Sequence, residues 1–401
     1  MRIGIVGNGL AGVMAAKALR ELDPAVEIEL FARERHHYYP RPNLIEFLSG
    51  ALPREKVFAF PQEWYERLGL TVRLGSAVET IAPETLEVRV QDGRAARFDA
   101  LFLCDGASAS VPPIPGIERR GVFALRTLDD AQSILDYLPG HAEAAVIGGG
   151  LLGLEIARAL NLRGARVKVV EFFDRLLPRQ LDPEGADLLK SWMERMGLQF
   201  RLAASVEEVL GAGEASGLRL KGGEEIAAPL IILAAGVNPN LELARAAGLE
   251  TGKGVVVNDR LQTSHPKIFA AGDNVSHRGR QYGIIPAAFA QARIAAANAL
   301  GQAQVYEGTV PSNLLKIGGL FVASSGRVYP LEAGDEALRK LDRERGIYKK
   351  IVLQGGRLAG AVWMGTRQGA AEITAAVAGR RDVRRFGEAI LEDDFDYGLL
   401  Q

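Results

Sequence analysis

The sequence predicts an α/β fold of two Rossmann-like dinucleotide-binding domains followed by a C-terminal α+β domain. Two observations lead there. A short apolar run, Gly-x-Gly-x-x-Gly and a helix-compatible stretch occur twice, in IGIVGNGLAGVMAA (3–16) and AVIGGGLLGLEIA (145–157). Each unit then closes on an apolar strand followed by glycine, LFLCDG (101–106) and IILAAG (231–236). A lone glycine pattern is weak, but a preceding strand and a following helix supply the context the fingerprint requires.

The bulk properties fit this class. The 401 residues are 48% hydrophobic and 24% charged, enough for a large core in two or three domains. A net charge of −1 gives nucleic acid no electrostatic hold. Apolar runs such as LIILAAGV (230–237) are too short to span a bilayer. The first strand pattern begins at residue 2, without a secretory pattern, so a soluble cytoplasmic protein is expected. One cysteine, Cys104, rules out an intrachain disulfide and a CxxC pair.

In chain order, RIGIV (2–6) is the first strand, and Gly7, Gly9, Leu10, Ala11 and Gly12 form the turn into a helix reaching about Leu22. The first glycine permits the tight turn, the second lets the backbone approach a pyrophosphate, and the third lets helix and sheet pack closely. The helix N-terminus offers free N–H groups to the phosphates. VEIELF (26–31) is the next strand. Glu29 is expected on its exposed face, and Glu34, just past it, as the ribose contact. The second unit repeats the plan with AAVI, then Gly148, Gly150, Leu151, Leu152 and Gly153, a helix to about Leu162 and the strand RVKVVEF (166–172). Ala16 and Ala157, one turn past each third glycine, suit close packing.

Glu171 lies 23 residues after Gly148, where a carboxylate takes a ribose 2′-hydroxyl. It would repel a 2′-phosphate and so favours NADH over NADPH, while Arg175 and Arg179 pull the other way. Glu171→Arg is expected to shift preference toward NADPH. Two such sites imply transfer between two cofactors. A nicotinamide carries a hydride, and the dinucleotide able to receive it is a flavin, FAD. Near the end, YKKIVLQ and LAGAVWM, split by GGR, read as a hairpin, with a helix from about Ala370.

With these motifs the chain resembles the FAD-dependent pyridine nucleotide oxidoreductases, along essentially its whole length. LFLCDGASASVPPIPG (101–116), GVFALRTLDDA (121–131), TSHPKIFAAGD (263–273) and PAAFAQARIAAANALG (286–301) carry the likeness. It implies FAD contacts at Arg41, Val78, Gly106, Arg126, Gly272 and Asp273. A helix starting near Pro286 and Ala287 would aim at the flavin pyrimidine ring. On the nicotinamide side it implies Gly236 and Glu155. A carboxylate at Glu155 would also favour the helix dipole.

HHYYPRPNLIEFLSG (36–50), with SNLLKIGGLFVASSG (312–326) and YKKIVLQGGRLAGAVWMG (348–365), is similar to the NADH:rubredoxin reductase and nitrite reductase flavin-module group. The redox cysteines of other branches are missing: Ser49 stands in the FLSG segment, and Glu46 stands where ferredoxin reductases of oxygenase systems carry a lysine. Cys104 is expected to act as a small buried hydrophobe. His36 and His37 face opposite ways in an extended chain and form no metal site, though they could border the flavin pocket; no metal is expected.

The implied organisation is an FAD domain at 1–112 and 237–303, an NAD(P)H domain at 113–236 and the α+β domain at 304–401. The implied activity is an NAD(P)H-dependent flavoprotein oxidoreductase. It would take a hydride from NADH to FAD, with no side chain needed as acid or base, and pass electrons to a one-electron protein acceptor such as rubredoxin or ferredoxin. The alternatives are an NADH oxidase making hydrogen peroxide, a diaphorase subunit of a larger redox complex such as a nitrite reductase, and a flavoprotein sensor or assembly factor. GRRDVRR (379–385) reads either as a docking patch for an acidic partner or as a solvated helix face, and EDDFD (392–396) is equally ambiguous.

Overall fold

The computed structural model describes residues 1–329 and 331–400. They form two compact units. The first comprises Met1–Leu44, Leu52–Ser108 and Val237–Thr309. The second comprises Ile45–Ala51, Ala109–Gly236 and the chain from Val310 onward.

The first unit is built on a five-stranded parallel sheet in the spatial order Ile268–Ala270, Ala100–Leu103, Arg2–Val6, Glu27–Phe31, Leu70–Arg73. Its central strands are apolar on both faces, as a parallel sheet covered on both sides requires: Ile3, Ile5, Leu30, Leu101 and Phe102 are all buried. Helix Leu10–Leu22 packs against helix Ile285–Ala299, and the buried residues of both are rich in alanine: Ala11, Ala15 and Ala16 in the first and Ala288, Ala292, Ala295 and Ala296 in the second. Side chains this small let the two helices approach closely.

Glu29 is not on an exposed face. It is buried and paired with Arg2 at 2.7 Å and Arg73 at 2.9 Å. Its strand lies between those carrying the two arginines, so each guanidinium reaches the carboxylate from one side. A carboxylate so paired is tolerated at low exposure.

The second unit repeats the sheet plan. Its parallel strands run Val122–Ala124, Leu230–Leu233, Glu143–Ile147, Arg166–Val170, Gln199–Arg201. In both sheets the fingerprint strand lies between the strand that leads to the acidic residue and the apolar strand that ends each repeat. The outermost strand beside that apolar strand is recruited from later in the chain in the first sheet and from earlier in the second.

Also in this unit is a five-stranded antiparallel sheet in the order Ser312–Ile317, Leu320–Gly326, Arg357–Met364, Ile347–Gln354, Asp335–Asp342. The expected hairpin turns at Gly355 and Gly356, both at positive φ (+58° and +77°), the left-handed region that glycine enters without strain. Helix Ala370–Ala378 covers the sheet, its Ile373 and Val377 sharing a core with Ile351 and Trp363 of the strands. The GRRDVRR run is not the face of one continuing helix, and only Arg384 and Arg385 at its end enter a short 3-10 helix, Arg384–Leu391. The helix stops at Ala378, and Arg380 sits at φ +47°. The run then folds back on the hairpin, where the Leu358 N–H bonds the Arg381 carbonyl at 2.9 Å.

Candidate dinucleotide sites

In the first glycine loop Gly7 sits at φ +108°, and a Cβ there would lie 2.1 Å from the Cys104 carbonyl oxygen. A Cβ on Gly12 would lie 1.9 Å from the Gly7 carbonyl oxygen. These two glycines are therefore demanded by the fold. Gly9 is different: a Cβ there would meet nothing within 4 Å. Gly9 caps the helix that opens with Leu10 and Ala11, and it has no side chain to bond the first-turn N–H groups. An open cradle lined by such N–H groups fits a pyrophosphate.

The first unit carries most of the other residues expected at the flavin site. Glu34 and Arg41 pair at 2.8 Å, and both bond the Tyr39 hydroxyl. Burial works against the Arg41 charge, but Glu34 and Tyr39 hold its pKa above the ordinary value. Both Glu34 oxygens thus already serve protein partners. Val78 is buried at the start of the strand Val78–Ala82. Gly106 and Gly272 both adopt positive φ, and the Gly272 N–H donates to Gln291 Oε1 at 2.9 Å. Asp273 is half-buried between Gly272 and Asn274. Pro286 and Ala287 open helix Ile285–Ala299. His37 bonds Gln62 at 2.6 Å and stacks on Tyr65, while the His36 carbonyl accepts from Asn8. No cluster of metal-ligating side chains occurs among the described residues. Cys104 is buried, and burial pushes its thiol well above the usual range, as expected of an inert thiol.

Arg126 lies in the second unit, one residue before Thr127, which with Asp130 forms a helix capping box. The sequence does not single out Asn274 and Gln291, because their contacts reach 171 and 19 residues along the chain.

The second loop repeats the first. Gly148 is at φ +117°, its hypothetical Cβ 2.4 Å from the Ala234 carbonyl oxygen. That of Gly153 would lie 1.9 Å from the Gly148 carbonyl oxygen, and that of Gly150 would again meet nothing within 4 Å. Leu151 and Leu152 open the helix, with Leu152 exposed. Gly236, at φ +96°, is open as well.

Glu171 is only 6% exposed and accepts two backbone N–H bonds, from Gly149 at 2.5 Å and Phe173 at 2.8 Å. It is thus built into the loop rather than being a solvated strand end. Glu155 is half-buried as the fifth residue of the second fingerprint helix, just past its first turn, which carries no acidic side chain. Burial, then the Glu46 charge, raise its pKa, and Arg158 opposes them. Glu46 reaches this neighbourhood because its helix, Pro42–Ser49, ends against the same fingerprint helix: Arg163 Nε donates to the Leu48 carbonyl at 3.0 Å.

Residues 1–293 match the family described as pyridine nucleotide-disulphide oxidoreductase. The chain belongs to this family. Residues 311–380 of this oxidoreductase match the rubredoxin NAD+ reductase C-terminal domain. The chain is 33% identical over its whole length to the assimilatory nitrate reductase electron transfer subunit of Bacillus subtilis, covering 52% of that protein. It is 36% identical to a rubredoxin-NAD(+) reductase of Ectopseudomonas oleovorans, over 71% of this chain and 74% of the other. Among solved structures, NADH:rubredoxin oxidoreductase from Clostridium acetobutylicum superposes with a TM-score of 0.83 at 27% identity, covering 97% of this oxidoreductase and 98% of that chain. Several of the curated relatives are longer, and the chain spans about half their length.

Proposed function

We propose that this oxidoreductase binds FAD at Gly7–Gly12 and NADH at Gly148–Gly153, and that it delivers electrons from NADH to a small redox protein such as rubredoxin or ferredoxin. The observation that carries this reading is the pair of matched cradles. In each, two glycines are forced by packing, while the middle one faces open space at an uncapped helix N-terminus. A bound flavin supplies a hydride acceptor and an outlet for single electrons.

The chain's own residues do the positioning, which is most of what hydride transfer between bound cofactors requires. The first-turn N–H groups after Gly9 and Gly150 hold the two pyrophosphates. In the first site Arg41, Val78, Gly106, Asp273 and the helix start at Pro286–Ala287 orient the flavin. In the second, Glu171 takes the ribose and Gly236 and Glu155 border the nicotinamide. Glu171 favours NADH over NADPH, because a 2′-phosphate would meet a buried carboxylate. No described helix is long and apolar enough to cross a membrane.

A second acceptor class has its own support. The Bacillus subtilis relative matched over this whole chain is an electron transfer subunit of a nitrate reductase. A partner subunit of a redox complex is therefore the alternative to a free carrier. The test is anaerobic titration of the purified protein with NADH and then NADPH, followed by rubredoxin, ferredoxin and oxygen as oxidants. Fast bleaching of a flavin by NADH and slow bleaching by NADPH is the expected result. A bound flavin that neither nucleotide reduces would overturn the proposal.

A further inference from the structure

The loop between strand Arg166–Val170 and helix Pro183–Glu194 is anchored along its length, its first residues also by backbone bonds of Glu171 and Phe173 to Arg201, Ala203 and Ala204. At its start Glu171 grips the Gly149 N–H at 2.5 Å, and further on the Leu177 N–H bonds the Gly149 carbonyl at 3.2 Å. In its middle the Arg175 guanidinium stacks over Tyr329, 4.8 Å from the ring centre. At its end Asp182 caps the helix, accepting from the Gly185 N–H at 3.1 Å. Asp182 is also the buried partner of two residues from strand Ile347–Gln354, the Tyr348 hydroxyl at 2.6 Å and Lys350 Nζ at 2.7 Å.

Asp182, Tyr348 and Lys350 are 4%, 0% and 5% exposed, and Lys350 spends a further bond on the Val328 carbonyl at 3.1 Å. Burial favours the neutral Asp182, but the bonds from Lys350, Tyr348 and the Gly185 N–H hold its pKa below the ordinary value. Gly185 lets the helix come this close: a Cβ there would lie 3.3 Å from both Met364 Sδ and Tyr348 Cδ1. A buried ion pair rarely adds net stability over an apolar pair of the same volume. What this one does is fix the geometry of the loop that ends on it.

We infer that Lys350, with Tyr348 and Tyr329, is a positioning residue for the adenosine half of the nicotinamide nucleotide. These three come from the C-terminal segment and act through Asp182 and Arg175 on the loop that carries Glu171. The inference rests on the reading of Gly148–Gly153 and Glu171 as the nucleotide site. It gives the C-terminal domain a part in nucleotide binding in addition to any part in acceptor docking.

The test compares Lys350→Met and Tyr329→Leu with wild type as holo-flavoproteins in anaerobic stopped-flow. Two reductants are used: NADH, and reduced nicotinamide mononucleotide, which lacks the adenosine half. In both variants the Kd for NADH should rise about five- to tenfold with an unchanged limiting rate. Reduction by the mononucleotide should be unchanged. Should Lys350→Met fail to fold, Tyr329→Leu decides alone, since it strands no buried charge. A Kd for NADH within about twofold of wild type in the folded variants overturns the inference, as does an equal loss with both reductants. If wild type itself binds the two reductants equally well, the reading of the Glu171 site fails, and the inference fails with it.

Discussion

Asn274 donates its side-chain N–H to Asp105 Oδ1 across 2.7 Å and to the Leu103 carbonyl across 3.1 Å. The contact ties together the loops that follow two neighbouring strands, Ala100–Leu103 and Ile268–Ala270, each of which lies in a segment that carries the family likeness. The Asp105 side chain keeps some accessible surface, yet burial pushes its carboxyl from 3.8 up to about 7, against the bond from Asn274. The sign follows from linkage. The native state holds a proton that the unfolded chain has already released, so this contribution to stability is complete below the unfolded value and is lost as pH rises toward about 7. Asp105→Asn should therefore gain stability relative to wild type between about pH 5 and about pH 8. Melting curves of the two proteins across that range check it, and parallel pH dependences would contradict it.

Glu46 and Glu155 act on each other as like charges. Because burial first and Glu46 second raise the Glu155 pKa, its carboxylate holds a proton to higher pH than usual. Replacing Glu46 with lysine turns repulsion into attraction and stabilises the ionised form. Any inflection in the pH profile of flavin reduction by NADH that belongs to Glu155 should then move to lower pH in Glu46→Lys. An inflection that stays in place would assign it to another group.

The buried position of Glu171 changes the expected outcome of altering it. Arginine there would bring a cation against the Gly149 and Phe173 N–H donors in a space with almost no solvent access, so Glu171→Arg should lose nucleotide binding rather than exchange NADH for NADPH. Glu171→Gln is the informative change. Its amide keeps one acceptor and turns an N–H toward a backbone donor, a loss of about 1–3 kcal/mol. Affinity for NADH should fall roughly tenfold with little change for NADPH, narrowing the selectivity. Equilibrium titrations with both nucleotides measure it, and unaltered selectivity would remove Glu171 from the ribose site.

The two glycine loops, their helices and the closing hairpin were legible because each is specified by residues close in sequence. The features that were not legible depend on neighbours supplied from elsewhere. Alternation along VEIELF could not show that Arg2 and Arg73 would flank Glu29 from adjacent strands. The charge density of GRRDVRR suggested a helix face, but Arg380 at positive φ ends the helix and turns the run back on the hairpin. Lys350 reads as one polar residue in a strand, and its partner Asp182 is 168 residues away. Glu34 stands out in the sequence by its place at the strand end, and its capture by Arg41 and Tyr39 follows from how the chain bends over 34–41. In each case the residue type was visible while the burial that gives it meaning was not.

The glycines of the first fingerprint separate folding from ligand binding. Gly12→Ala forces a Cβ to within 1.9 Å of the Gly7 carbonyl oxygen, and both atoms are backbone-fixed. The helix must move off the strand, an overpacking cost of about 3 kcal/mol. Gly9 has φ −82° and ψ −173°, open to any residue, and an added methyl there meets no protein atom within 4 Å. Gly9→Ala should therefore leave the apoprotein within about 0.5 kcal/mol of wild type, as for an unconstrained surface change. Its methyl points into the space assigned to the pyrophosphate, so FAD should be lost on purification. Denaturant unfolding of the apoproteins and the flavin content of the purified holoproteins read the two effects independently. Full flavin retention in Gly9→Ala would mean that the open space beside Gly9 is not where the pyrophosphate lies.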